Sequence, residues 1–133
     1  MKVAYYCQHV LGIGHYHRSL EICKTLAAAG HEVTMIVGGP DIDGDGTDSV
    51  SFFKLTPLKM NETFQGLQPC NQELALDKVK RMRQKSLLEF VDSYTPDCLI
   101  IELYPFGRKA FRFELEPLLE ALTSSRNRCS VFC

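Results

Sequence analysis

An apolar run, a glycine-flanked turn, an amphipathic helix and a second apolar run follow one another within the first forty residues. That succession leaves the chain few choices. Residues 2–8 are rich in Val and Tyr and read as a strand buried on both faces. Residues 15–29 read as a helix, with Leu20, Cys23 and Ala27 sharing a face with Ile22 and Leu26. Gly30 is placed to cap it, and residues 32–37 form a second strand. A β-α-β unit is then closed, with parallel strands and a right-handed crossover.

The remaining chain continues the alternation. Residues 50–55 read as a third strand and residues 56–73, with Pro57, Gly66 and Pro69, as an irregular segment long enough to suspect a binding role. Residues 74–94 read as a long helix with a buried stripe of Val79, Met82, Leu87, Phe90, Val91 and Tyr94. Its other face carries Lys78, Lys80, Arg81, Arg83 and Lys85, a solvated face or a docking patch for an acidic partner. Thr95-Pro96-Asp97 ends that helix, and residues 98–102 read as a fourth strand ending in the acid Glu102. A loop follows from Leu103 to Arg108. Phe111, Leu115, Leu118, Leu119 and Leu122 then share a helical face, and Pro117 is expected to kink that helix or split it. Residues 129–133 read as a fifth strand. The fold class is therefore α/β: a Rossmann-like, doubly wound parallel sheet of order 3-2-1-4-5 in three layers, α/β/α.

Composition removes whole classes of function. A net charge of −1 gives no global field toward nucleic acid, and no apolar run reaches membrane-spanning length. The six cysteines form no C-x-x-C pair and behave as small buried hydrophobes, so neither disulfides nor zinc are expected. Asp41, Asp43 and Asp45 resemble the opening of an EF-hand loop, but the position of its bidentate glutamate holds Phe52, so a solvated turn without metal is expected. The N-terminal run is too short for a signal peptide, which points to a cytoplasmic protein.

The chemistry gathers at Gly12-Ile13-Gly14-His15, between the first strand and the first helix. Gly12 and Gly14 allow a tight turn and close approach to a bound group. The helix start offers unpaired N–H groups to an anion, and Arg18 adds a charge one turn on. A dinucleotide fingerprint would need a third glycine where His17 stands, and an acid after the second strand, where the chain reads Val37-Gly38-Gly39. A phosphate- or sugar-facing loop, or a plain tight turn with an exposed histidine, fits better than a nicotinamide site. In the expected strand order, His15 and Glu102 lie beyond adjacent strands at one crevice. A carboxylate beside an imidazole fixes its tautomer and raises its basicity, giving a base able to deprotonate a hydroxyl. Glu102 has the alternative of a salt bridge to Arg108 or Arg112. His9 and His17 rival His15, while His31 belongs to the opposite end of the sheet.

The stretch from Gln8 through Gly12-Ile13-Gly14-His15 to Leu20 resembles the first loop and helix of glycosyltransferases of the GT-B fold, related to the bacterial enzyme that adds N-acetylglucosamine to the lipid-linked peptidoglycan precursor. Val37-Gly38-Gly39-Pro40, Glu102-Leu103-Tyr104-Pro105-Phe106-Gly107-Arg108 and the tracts Phe111 to Glu114 and Pro117 to Ala121 are similar to that group as well. The resemblance implies that residues 1–133 are an N-terminal, acceptor-side Rossmann-like domain, with the donor-binding C-terminal domain outside these residues. It implies His15 as catalytic base with Glu102 as its acid partner. Gly12, Gly14, Arg18, Gly38, Gly39, Tyr104 and Arg108 are the candidate substrate-binding residues. The expected partners are a nucleotide-sugar donor, held by the other domain, and a hydroxyl-bearing acceptor; a lipid-linked acceptor is one option, and would put this cytoplasmic protein at the inner face of the membrane. No metal or other cofactor is expected. The chain alone is expected to be inactive and, through an exposed last strand, prone to self-association. Two further readings stay open: one subunit of a two-chain transferase, or a non-catalytic flavodoxin-like ligand-binding module in which Tyr104 and Phe106 flank a flavin. A phosphoacceptor receiver lacks its acids after the first and third strands.

Overall fold

The structure is a computed structural model and describes residues 1–8, 14–40, 49–60, 66–102, 110–124 and 129–132; the side chain of His15 also lies outside what it describes. Among the described residues ten elements follow in order: β1 (Lys2–Tyr6), α1 (Gly14–Ala28), β2 (Glu32–Val37), β3 (Ser51–Lys54), β4 (Leu58–Met60), β5 (Leu67–Pro69), α2 (Leu76–Tyr94), β6 (Cys98–Ile101), α3 (Arg112–Thr123) and β7 (Ser130–Phe132). Five strands form one parallel sheet of order β3-β2-β1-β6-β7. This is the expected 3-2-1-4-5 sheet, because β4 and β5 form a separate antiparallel pair.

That pair corrects the expectation of an irregular segment at 56–73. Its strands have three residues each, too short to show a period of two. Leu58 is fully buried and its amide donates to the Gly38 carbonyl at 2.8 Å, which moors the pair to the end of β2.

The alternation of side chains along β1 divides the core in two. Val3, Tyr5 and Cys7 face α1 and pack with Tyr16, Leu20 and Cys23. Ala4 and Tyr6 face the other way, into a core shared with Val79, Leu87 and Val91 of α2 and Leu115, Leu118 and Leu122 of α3. The layers are therefore α1, sheet, and α2 with α3. Helix α1 ends as expected: Gly30 takes a positive φ of 96°, and the His31 amide returns to the Leu26 carbonyl at 3.2 Å.

The stripes of the helices differ from the expected ones. Ile22 of α1 is 40% exposed and Met82 of α2 is 39% exposed. The buried line of α2 is Val79, Arg83, Leu87 and Val91, at strict spacings of four. Arg83, expected on the solvated basic face, is fully buried in the middle of it, while Lys78, Arg81 and Lys85 remain exposed. Phe90 and Tyr94 keep their expected place: Phe90 stacks on Phe53 of β3 at 4.5 Å and on Tyr94 at 5.0 Å.

Helix α3 is not split at Pro117 but runs through it from Arg112 to Thr123. A proline there leaves the carbonyl of Phe113 without its amide partner. The side chain of Gln84 on α2 supplies the missing donor, at 3.1 Å from that carbonyl. The continuity of one helix thus depends on a side chain of its neighbour.

Candidate active site

Strands β1 and β6 are adjacent and parallel, and the Glu102 amide extends their pairing by donating to the Tyr6 carbonyl at 2.9 Å. Helix α1, which follows β1, packs on one face of the sheet, and α3, which follows β6, packs on the other. Such a switch point is where α/β sheets of this kind form a ligand-binding crevice. The start of α1 and Glu102 both border it.

Glu102 is half-buried and held from below. The Tyr5 hydroxyl, on the α1 face of β1, donates to its Oε2 at 2.7 Å. Burial, reinforced by the hydrogen bond and charge of Glu102, pushes the Tyr5 pKa well above the usual phenol range. The hydroxyl therefore remains a donor at any physiological pH. Arg112, one of the two arginines expected to compete for Glu102, pairs with Glu116 one turn further along α3.

Gly14 opens α1 and is exposed, as are Arg18 and His17. The His17 ring meets Tyr16 edge-on at 5.6 Å. His31 lies at the far end of the sheet, where its Nδ1 is 3.3 Å from the N-terminal amine. Gly38 and Gly39 are buried at the end of β2. Gly12, Tyr104, Arg108 and the rival His9 lie outside the described residues, as do the His15 side chain and the Asp41–Asp48 loop. Topology brings the backbones of His15 and Glu102 to one edge; the pairing of their side chains lies beyond what the structure describes. Among the described residues, no three His, Cys, Asp or Glu side chains gather as a metal site, and no helix is long and apolar enough to cross a membrane.

On the other face of β1, the next tyrosine meets a second carboxylate. Tyr6 donates its hydroxyl to Glu114 of α3, and both are fully buried. Glu114 also accepts from Arg83 Nε at 2.9 Å and Nη2 at 2.8 Å, a two-pronged ion pair. The rest of the guanidinium reaches the strand ends. Nη1 donates to the carbonyls of Gly38 at 2.7 Å and Thr56 at 3.0 Å, and Nη2 donates to Gln8 Oε1 at 2.7 Å. These bonds use every donor an arginine has. The Phe111 ring lies against the guanidinium at 5.3 Å. Burial opposes the charge on Arg83, but the hydrogen bonds and charge of Glu114 outweigh it and its pKa is raised. Burial also pushes the Tyr6 hydroxyl upward.

The approach is close enough to require Gly38. A Cβ there would stand 2.5 Å from Arg83 Nη1 and 2.7 Å from Gln8 Oε1. This is a physical reason for a glycine at a position the sequence suggested as substrate-binding. Arg83, Glu114, Tyr6 and Gln8 were not among the sequence candidates. A signal existed: Arg83 interrupts the line Val79–Leu87 on α2, and Glu114 shares a spacing of four with Leu118 and Leu122 on α3. Two opposite charges, each in an apolar line, on helices packed on one sheet face, are a sign of pairing.

No protein-family model matches the chain, and no curated protein sequence matches it. Solved structures do. The chain is similar to a UGT transferase from Siraitia grosvenorii in complex with UDP (15% identity, TM-score 0.54), with 99% of this chain covered and 27% of that one. It is similar to MurG of Acinetobacter baumannii (13% identity, TM-score 0.53), covering 98% of this chain and 35% of that one. It is also similar to the C-terminal domain of a hydrogenase from Pyrococcus furiosus (13% identity, TM-score 0.54), covering 98% of this chain and 89% of that one. The chain thus spans about a third or less of either glycosyltransferase. At these identities the likeness establishes architecture: a Rossmann-like α/β unit of the kind found in glycosyltransferases and, nearly whole, in the hydrogenase domain.

Proposed function

We propose that this chain is the acceptor-side half of a glycosyltransferase moving a sugar from a nucleotide-sugar donor to a hydroxyl acceptor. The observation that carries the reading is the adjacency of β1 and β6. It supports the reading because the start of α1 follows β1 and the half-buried Glu102 follows β6 at the same end of the sheet, with Glu102 on the α1 face beside Tyr5. Similarity to a UDP-bound transferase and to MurG supports it, as does the resemblance of the first loop to the GT-B group. In this reading His15 takes the acceptor hydroxyl proton as that oxygen forms its bond to the anomeric carbon. The bond from that carbon to the diphosphate breaks, and the nucleotide leaves with the electron pair. Glu102, steadied by Tyr5, orients the imidazole and stabilises its charged form. Gly12, Gly14, Arg18, Tyr104 and Arg108 line the acceptor side. The donor is gripped by a second α/β unit, on the same polypeptide or on a second subunit, and the lipid-linked acceptor draws the protein to the inner face of the membrane.

Transfer needs acceptor, base and anomeric carbon held together within a few ångströms. The 133 residues supply one α/β unit and a net charge of −1, so nucleotide sugars should bind the isolated chain only weakly. Calorimetry with uridine-diphosphate sugars tests this division of labour: tight, saturable binding to these residues alone would overturn it. A second reading has one observation in its favour. The hydrogenase domain is a single unit of nearly the same extent, which suits a non-catalytic flavodoxin-like module. A flavin absorbance that survives purification of the chain would favour that module.

A further inference from the structure

We infer that Arg83 is a positioning residue that fixes the relative placement of the backbone segments around the crevice. Four separate segments leave the carboxyl end of the sheet near this site, and one buried guanidinium touches or is tied to each. Gln8 stands where β1 gives way to the first loop, and its side chain accepts from Nη2. Gly38 stands directly after β2, and its carbonyl accepts from Nη1. Thr56 stands in the connection from β3 to β4, and its carbonyl accepts from the same nitrogen. Glu114 lies in the first turn of α3, the helix that follows the connection from β6, and accepts from Nε and Nη2. The Tyr6 hydroxyl adds β1 to the same carboxylate.

The chemistry of this group argues against two other roles. A guanidinium with all five donors engaged and no exposed surface has nothing to offer a phosphate or a substrate carboxylate. A buried ion pair is also a poor device for stability alone, because apolar residues of similar volume often do as well or better. What apolar residues cannot reproduce is a planar fork that fixes two carbonyls and a side-chain amide at set distances. Gly38 supports this role, since its missing Cβ is what lets the fork close on the β2 end. The pair thus acts as a keystone beneath the chain segments that leave the carboxyl end of the sheet. Its bearing on catalysis rests on the acceptor-site reading of the crevice; its bearing on loop order does not.

Amide hydrogen exchange on the 133-residue chain tests it. In the double variant Arg83→Met/Glu114→Met, neither charge is left unpaired. The variant should fold, and exchange at Leu55 and Leu58, whose amides bond to the Val37 and Gly38 carbonyls, should accelerate about tenfold or more. Amides at the opposite end of the sheet, such as Glu32 and Ala29, should stay within about twofold of the parent. Equal acceleration at both ends, or none at either, would overturn the inference. Should the double variant fail to fold, Gln8→Leu removes one tether only and should accelerate exchange at Cys7, whose amide bonds to the Ile36 carbonyl, while sparing Glu32. An unchanged profile in Gln8→Leu would also overturn it. The readout needs no substrate, so loss of the glycosyl-transfer reading leaves it standing, and unchanged exchange would leave that reading intact.

Discussion

Replacing Gly38 by alanine adds a single methyl group, at the point where the chain has no room for it. The new Cβ would lie 2.5 Å from Arg83 Nη1, 2.8 Å from Nη2 and 2.7 Å from Gln8 Oε1. Ordinary contact needs about an ångström more, so the guanidinium must retreat. It is held by bonds of 2.7 Å to Gly38, 3.0 Å to Thr56 and 2.7 Å to Gln8, and by the fork on Glu114. Overpacking of this kind costs about 1–3 kcal/mol. Losing one hydrogen bond from a charged group adds about 1.5–3 kcal/mol. Partial relaxation makes the two less than additive, so Gly38→Ala should cost about 2–4 kcal/mol. For a chain of this length that is a fall of roughly 6–15 °C in Tm. Gly66, with nothing within 4 Å of its missing Cβ, is the control, and Gly66→Ala should melt within a degree or two of the parent. The cycle that isolates the cause repeats Gly38→Ala in the Arg83→Met/Glu114→Met background, where the penalty should shrink by half or more. A Gly38→Ala protein that melts with the parent, or an undiminished penalty in that background, would refute the argument from close approach.

Other outcomes follow from the same geometry. Tyr5→Phe removes the donor to Glu102 and should cost about 1–2 kcal/mol in a denaturant titration, with Tyr6→Phe costing more because Glu114 is fully buried; equal costs would contradict the difference in burial. Burial pushes the Cys7 thiol from its ordinary 9.0 up to about 11 and that of Cys23 up to about 12. Above about pH 9 the unfolded chain releases these protons while the folded chain keeps them, so stability should fall as pH rises from about 9 to 11–12, with no contribution from these thiols below pH 9. Cys23→Ala should flatten that slope, and an unaltered slope would count against it. At neutral pH a thiol reagent should modify the half-buried Cys70 and Cys129 before the fully buried Cys7 and Cys23, read by mass spectrometry of peptides; the reverse order would contradict the packing.

The sheet was legible because its central strands β1, β2 and β6 are apolar on both faces and its first crossover is short and clearly punctuated. Residues 32–37 and Gly30 took the places the sequence assigned to them. Glu102 too could be placed at the β1/β6 edge, since strand order alone carries it there. The rest was hidden for specific physical reasons. A three-residue strand such as β4 has too few positions to reveal a period, and its anchor, the Gly38 carbonyl, is remote in sequence. The sequence puts Arg83 on a solvated or docking face because a charge is rarely buried without a partner, and its partner Glu114 lies on another helix. Pro117 argues for a kink or a split in α3, and only the packing of α2 reveals that Gln84 takes up the released carbonyl of a helix that stays continuous. In each case local chemistry pointed one way and a tertiary hydrogen bond reversed it.

The central claim is that the crevice between β1 and β6 carries out general-base chemistry on an acceptor hydroxyl, with His15 as the base. The direct measurement is the turnover of sugar transfer by a protein that joins this chain to the donor-binding unit proposed for it, comparing His15→Ala with His17→Ala. General-base catalysis is typically worth about 10²–10⁴-fold. His15→Ala should lower kcat by that order while leaving donor binding unchanged, and the exposed His17 should matter far less. Equal losses in the two variants, or a larger loss in His17→Ala, would contradict the account.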